Sequence, residues 1–128
     1  MKVTFESNQK YILVHAKGKI KPQAAKELFV RLLGFCTDKK IFKVIVDYRD
    51  VVGYPTIIDR LDYLKGVDAF HQAYLKLDMP KLRIAYVAPI NLEITEPVVV
   101  DQREKLSFDS AATHDFESAK KWIMKEST

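Results

Sequence analysis

Residues 44–56 constrain the fold more than any other part of the chain. Val44, Ile45 and Val46 form a run that is apolar on both faces, which is typical of a central parallel strand. The run ends in the polar and charged residues 47–50, turns at Gly53 and leads into the longest helical pattern of the sequence. These features predict a buried strand followed by a helix that packs on the same sheet.

The rest of the chain supplies partners for that strand. Residues 3–6 and 11–17 alternate like strands on either side of the turn residues 7–9, so we predict an antiparallel hairpin. Apolar periodicity and the glycine and proline boundaries predict the remaining elements. We expect helices over 22–36 and 55–77, a strand over 82–88, an edge strand over 110–114 and a last helix capped by Asp115.

Residues 93–106 allow two interpretations. Pro97 suits the first turn of a helix, whereas the three consecutive valines 98–100 also suit a strand. We predict a helix there. The resulting order, β-β-α-β-α-β-α-β-α, is an α/β fold with a mixed sheet of four to five strands and helices packed on it. The length of 128 residues predicts a single domain over residues 1–128.

The long helical pattern leaves two alternatives open. Its apolar residues recur at three- and four-residue steps: Ile57, Leu61, Leu64, Val67, Phe70, Tyr74 and Leu77. Such a helix would be about 33 Å long, close to the width of a domain of this size. Either it bends near Gly66 over a wide buried stripe, or one end projects. A projecting end would need a partner, and a second copy of the chain is the simplest one.

Composition excludes several classes of protein. The net charge is +4, but the lysines of the basic first half are scattered without interleaved aromatic residues, so we expect no nucleic-acid partner. No apolar run reaches the roughly 20 residues that a membrane span needs, and the N-terminus lacks a signal-peptide core. We therefore expect a cytoplasmic protein with no integral membrane segment. The single Cys36 lies in an apolar helical stretch, which favours a buried, inert thiol.

Local motifs for catalysis or for a metal are missing from the sequence. His15, His71 and His114 share no ligand spacing with each other or with the cysteine, and there is no phosphate-binding glycine loop or nucleophile elbow. His15 is best explained as a packed or edge residue of its strand. We expect no catalytic residue, no metal and no cofactor. A hydrolase or transferase that uses Asp47, Arg49 and His114 is the less favoured alternative, since catalytic sites can assemble without a local motif.

The element order and several short motifs resemble the SpoIIAA-like, or STAS-like, family of small bacterial proteins. The motifs are Val-Ile-Val-Asp-Tyr-Arg-Asp-Val-Val-Gly at 44–53, Thr56-x-x-Asp59-Arg60, Leu-Arg-Ile-Ala-Tyr-Val at 82–87 and Ala119-x-x-Trp122-Ile123. The resemblance covers nearly the whole chain. It implies a mixed sheet with packed helices and a non-enzymatic role, since STAS domains act as anti-sigma-factor antagonists, in stressosomes and at the cytoplasmic ends of anion transporters. The fold is also similar to that of lipid-carrying CRAL-TRIO domains.

The chain departs from that family at one functional position. The antagonists carry an Asp-Ser-Ser-Gly-like motif at the start of the helix after the central strand, and its serine is phosphorylated. Here the corresponding residues 52–56 read Val-Gly-Tyr-Pro-Thr and contain no serine. A phosphate on Thr56 would be repelled by Asp59 and Asp62 within two turns, so the sequence disfavours a phospho-switch.

The carboxyl edge of the sheet is the expected site, because ligands of open α/β folds bind there. Thr56 and Asp59 have the spacing of a capping box, which favours a structural role for both. Arg49 and Arg60 could pair with Asp47, Asp50 or Asp62, and such ion pairs usually hold a loop.

These observations predict a regulatory module that binds a partner protein, with a homodimer as one form of it. Its surface would be the loop 49–56 and the face of the following helix. The alternative is a carrier of a small apolar or amphipathic ligand, held between the long helix and the sheet. The candidate binding residues are Arg49, Tyr54, Thr56, Asp59, Arg60, Tyr63, Phe70 and Tyr74.

Overall fold

The predicted α/β architecture is confirmed. The computed structural model describes residues 2–53, 57–89 and 107–125. Its elements are β1 (Lys2–Ser7), β2 (Ile12–Lys19), α1 (Pro22–Lys39), β3 (Lys43–Val52), α2 (Ile57–Leu75), β4 (Arg83–Val87), β5 (Asp109–Thr113) and α3 (Phe116–Met124). The helix predicted over 93–106 lies outside the described residues.

The five strands form one sheet in the order β1-β2-β3-β4-β5. β1 and β2 pair antiparallel, as the hairpin predicts, and the other three pairings are parallel. β3 is the central strand. Val44, Ile45 and Val46 are at most 1% exposed, which agrees with a strand covered on both faces.

Strand alternation divides the apolar residues between the two faces of the sheet. Val44 and Val46 of β3 belong to the larger core, which includes Leu28 and Phe29 of α1 and Val67 of α2. A smaller core on the opposite face is built from buried residues of β3, β4 and α3: Ile45, Ala85, Val87, Ala119 and Ile123. α1 and α2 therefore cover one face, and α3 covers the other.

α3 begins and packs as its sequence predicts. Asp115 is the N-cap, and its carboxylate accepts a hydrogen bond from the backbone N–H of Ser118. At the other end of α3 the guanidinium of Arg83 lies 3.9 Å from the centre of the Trp122 ring. The same side chain donates a 2.7 Å hydrogen bond to the Trp122 carbonyl oxygen. These contacts fix α3 to β4.

α2 is an unbroken helix that is slightly shorter than predicted. It runs through Gly66 without interruption and ends at Leu75, so its length is about 28 Å. Val67 and Tyr74 are at most 8% exposed and pack into the larger core, so this part of the inner face is filled. The inward position predicted for Leu77 is wrong. That residue lies in the turn after the helix and is 73% exposed.

Two further predictions concern α1 and the membrane. Cys36 is fully buried in α1, which confirms its predicted position. Burial raises the pKa of its thiol to about 12, which disfavours the reactive thiolate. Among the helices that the structure describes, none combines the length and the apolar character required to cross a bilayer.

Candidate functional site

The carboxyl ends of β2, β3, β4 and β5 meet at one edge of the sheet, because these strands are parallel. β3 extends farther than β4 at this edge. Its pairing with β4 ends where Asp47 faces Val87, while its pairing with β2 continues until Val52 faces Lys19. The last residues of β3 therefore pair with β2 but not with β4, and they can present side chains at the edge.

A bulge in β3 shapes this extension. Asp47 pairs with His15, but the next pair along the strands is Asp50 with Lys17, so β3 carries one residue more than β2 between them. The backbone N–H of Arg49 has no ladder partner there and instead donates a 3.0 Å hydrogen bond to Oδ1 of Asp47. Bulges redirect side chains and are common beside functional sites. The bulge in β3 groups Asp47, Arg49 and Asp50 at one place on that strand, next to His15 of β2.

Asp47 and Arg49 form the anchored part of this group. Nε of Arg49 donates to Oδ1 of Asp47 at 2.9 Å and an η nitrogen donates to Oδ2 at 2.8 Å, a bidentate pair. The Asp47 side chain is 8% exposed and that of Arg49 is 48% exposed. Burial raises the pKa of Asp47, but the hydrogen bonds from Arg49 outweigh this effect, and the pKa lies below its ordinary value. The carboxylate is therefore ionised and holds the guanidinium in place.

His15 and Asp50 form the outer part of the same group. Nε2 of His15 lies 2.7 Å from Oδ2 of Asp50, and both side chains are accessible to solvent. The predicted edge position of His15 agrees with this geometry. On the opposite side, the Arg49 guanidinium lies 5.5 Å from the centre of the Phe116 ring at the start of α3. We call Asp47, Arg49, His15 and Asp50 the edge cluster.

Three tyrosines occupy the other face of the sheet at the same edge. Tyr48 and Tyr86 stack with their ring centres 6.0 Å apart, and the hydroxyl oxygens of Tyr63 and Tyr86 are 3.2 Å apart. The Tyr48 hydroxyl is buried, and no side chain in the described part of the chain lies in hydrogen-bonding geometry with it. Burial raises the pKa of all three phenols well above the ordinary value. We call Tyr48, Tyr63 and Tyr86 the tyrosine cluster.

A second polar group lies at the opposite, amino edge of the sheet. The backbone N–H of Leu82 donates a 3.1 Å hydrogen bond to Nε2 of His71, which places the histidine proton on Nδ1. Nδ1 donates to Oγ of Ser107 at 2.8 Å, and Oγ donates to Oδ1 of Asp68 at 2.7 Å. The Ser107 backbone N–H donates to the same carboxylate oxygen at 2.6 Å. We call Asp68, His71, Ser107 and the Leu82 amide the His71 network.

The predicted site residues are only partly brought together. Arg49 joins the edge cluster and Tyr63 joins the tyrosine cluster. Tyr74 lies about 16 Å farther along α2 than Tyr63 and is buried, with its hydroxyl 3.4 Å from Oγ1 of Thr37. Phe70 is 47% exposed, so it does not face the sheet. Tyr54 and Thr56, and the side chains of Asp59 and Arg60, lie outside the described residues.

His15, Asp50, Tyr48 and Tyr86 were not among the candidate site residues. The signal for the tyrosines was strand alternation, because Val46 pairs with Tyr86 and Tyr48 is two residues farther along the same face of β3. The contact between His15 and Asp50 depends on a parallel register with a bulge, which no local pattern specifies.

Two solved structures share this architecture. The anti-sigma factor antagonist SpoIIAA in its unphosphorylated form aligns with 95% of this chain and 97% of its own, with a TM-score of 0.53 and 10% sequence identity. The chain has a SpoIIAA-like fold. A protein of the DUF3478 family from Shewanella loihica PV-4, described with a SpoIIAA-like fold, aligns with 95% of this chain and 92% of its own, with a TM-score of 0.51 and 16% identity. No protein-family model and no curated protein sequence matches the chain.

Proposed function

We propose that this SpoIIAA-like domain is a non-enzymatic regulatory module that binds a partner protein through the edge cluster. The observation that carries the proposal is the construction of that cluster. A buried carboxylate, Asp47, holds the half-exposed guanidinium of Arg49 beside the accessible pair of His15 and Asp50. Prearranged charges of both signs at a strand end suit recognition of a complementary protein surface.

The directions in which the pKa values of titratable side chains are shifted support a non-enzymatic role. General acids and bases work best when their pKa lies near the working pH. Burial raises the pKa of the Cys36 thiol to about 12, while the pKa of Asp47 lies below its ordinary value. Both oxygens of Asp47 accept hydrogen bonds from Arg49, which counts against the hydrolase or transferase that would use this pair. Among the described residues whose pKa departs from its ordinary value, none has a pKa that is shifted toward neutral pH.

The regulatory character differs from that of a phosphorylated antagonist. Residues 52–56 lack the serine of the antagonist motif, and the ion pair of Asp47 and Arg49 is a fixed part of the fold. We infer that recognition is constitutive and is controlled by the supply of the partner.

The test compares two charge reversals that change the net charge equally. Asp50 lies in the edge cluster, whereas Asp38 is an exposed residue near the end of α1, at the amino edge. Asp50→Lys and Asp38→Lys are used as bait for quantitative affinity capture from the native host, with unfolding curves to verify folding. We expect Asp38→Lys to retain the wild-type partner and Asp50→Lys to lose it. Equal retention by both variants would contradict the proposal.

A second candidate function, a carrier of a small apolar or amphipathic ligand, is favoured by the tyrosine cluster. The buried Tyr48 hydroxyl, for which the described residues supply no hydrogen-bond partner, could bind a polar group of such a ligand. The inner face of α2 is filled at Val67 and Tyr74, which restricts the ligand to the end of α2 that carries Tyr63. Native mass spectrometry of protein from its own host should then detect a bound mass that Tyr48→Phe loses. Wild-type protein from its own host that shows only the mass of its polypeptide would reject a carrier.

A further inference from the structure

β1 is the edge strand of the sheet on the hairpin side. No described residue pairs with its outer edge, so a row of backbone hydrogen-bonding groups lies open there. Lys2, Thr4 and Glu6 are exposed on one face of the strand. Val3 and Phe5 are half-buried on the other face, where the Phe5 ring packs against α1.

The exposed residues of β1 are complementary to themselves in the antiparallel direction. Residues directly opposite each other in an antiparallel pair have their side chains on the same side of the sheet. The two-fold axis that relates two copies of one strand must therefore pass through a residue and cannot pass through a peptide bond. A two-fold axis at Thr4 places Lys2 of each copy opposite Glu6 of the other. Thr4 then faces Thr4 of the second copy.

The two neighbouring antiparallel registers give less favourable charge pairing. An axis at Val3 places Lys2 opposite Thr4, and an axis at Phe5 places Glu6 opposite Thr4, so each leaves charges without a partner. The register centred on Thr4 also improves the apolar face, because it places Val3 beside Phe5 of the second copy. Aromatic residues paired with β-branched residues are among the favourable cross-strand pairs.

The Phe5 ring is held in position for such a contact by residues of α1. Its ring centre is 5.3 Å from that of Phe35, and the Arg31 guanidinium lies 5.0 Å from the ring centre. These neighbours on α1 fix the ring at the edge of the sheet. A lysine alone would protect an edge strand from pairing, but here Glu6 stands at the position that neutralises it.

We propose that two copies of the chain pair through β1 in an antiparallel register centred on Thr4, which joins their sheets into one of ten strands. The partner is a second copy because the charge pattern of the strand matches its own reverse. This interface is distinct from the edge cluster and does not depend on the proposed function. It also differs from a dimer through α2.

Cysteine cross-linking tests the register. At the two-fold axis the Cα atoms of residue 4 would be about 4.5–5.5 Å apart, which suits a disulfide. We expect Thr4→Cys to oxidise to a covalent dimer, while the buried Cys36 stays reduced. Lys2→Cys or Glu6→Cys alone should not cross-link, because equivalent residues would be about 14 Å apart. An equimolar mixture of these two variants should form the mixed dimer, and its failure to do so would overturn the register.

Charge swapping tests the same interface without a covalent bond. Sedimentation equilibrium should show the wild type as a dimer, and Lys2→Glu should weaken dimerisation about tenfold or more, because it creates two like-charge pairs. Lys2→Glu combined with Glu6→Lys should restore the wild-type affinity. Phe70→Ser, on the exposed side of α2, and Asp50→Lys should leave the dimer unchanged. A strict monomer at all concentrations, or a dimer that Phe70→Ser alone disrupts, would overturn the proposal.

Discussion

The edge cluster and the His71 network both combine a histidine with an aspartate, but they differ in how their hydrogen bonds are completed. In the network His71 is fully buried, and each of its nitrogens has a partner within the protein. In the edge cluster only Asp47 is buried, and the His15 and Asp50 side chains are 37% and 59% exposed. The His71 network has no hydrogen-bonding group of the histidine left for a ligand, whereas the exposed side chains of the edge cluster can still bind one.

The positions of the two groups in the fold explain this difference. The His71 network joins α2 to the segments that enter β4 and β5, because Leu82 directly precedes β4 and Ser107 lies two residues before β5. The edge cluster lies where β3 extends past β4 and packs beside the first residue of α3. We therefore expect the network to contribute stability, whereas the edge cluster is the surface for which we propose recognition. Three predictions test that division.

His71→Ala should have the largest effect. It removes a buried ring and leaves the Leu82 N–H and the Ser107 hydroxyl without their partner, so we expect the free energy of unfolding to fall by about 3 kcal/mol. Urea denaturation measures this quantity. His15→Ala is the matched control and should change it by less than about 1 kcal/mol, because it breaks an exposed pair. Similar losses for the two variants would contradict the division.

Asp47→Asn should have an intermediate effect, because Asp47 is the one buried member of the edge cluster. Asparagine keeps the shape but loses the charge that pairs with Arg49, so we expect a loss of about 2 kcal/mol. Asp50→Asn changes an exposed carboxylate on the same strand and should cost less than about 0.5 kcal/mol. Chemical denaturation of the two variants in parallel makes the comparison. An Asp47→Asn protein as stable as the wild type would show that the buried pair is not an anchor.

Local sequence patterns were sufficient to predict most of the fold. The apolar run 44–46 identified the central strand, and Asp115 identified the start of α3, because burial and capping leave local signatures. The end of α2 was wrong by two residues. Leu77 continues the apolar spacing, yet the helix ends before it and Asp78 adopts a positive φ of 61°. The spacing of apolar residues does not encode that turn.

The polar groups were harder to predict because their partners are distant in sequence. His71 and Ser107 are 36 positions apart, and His15 and Asp50 are 35 apart. The sequence predicted an edge or packed position for His15 but gave no signal for His71, which is fully buried between distant partners. Arg49 was a candidate because it lies in the loop 49–56, and its partner Asp47, two residues away, was one of the three carboxylates considered for it.

The pH dependence of stability should be the smallest of the three effects and should come from His71. Burial is the largest cause that lowers its pKa below 6.5, and the charge of Lys81 adds to this, while Asp68 opposes it. Protonation of Nε2 would also place two donors against each other, because the Leu82 N–H points at that atom. The folded protein therefore takes up this proton less readily than the unfolded chain.

The direction of the pH effect follows from proton linkage. The stabilisation by neutral His71 is complete above pH 6.5 and is lost as the pH falls toward the lowered pKa, at no more than about 1.4 kcal/mol per pH unit. Asp47 and Asp68 have pKa values lowered from 3.8, so the stability that they provide is lost only at more acidic pH. Urea titrations between pH 7.5 and pH 5 should show this slope in the wild type and a flatter one in His71→Ala. An equal slope in His71→Ala would mean that another group controls stability in this range and that His71 is not the buried neutral centre of its network.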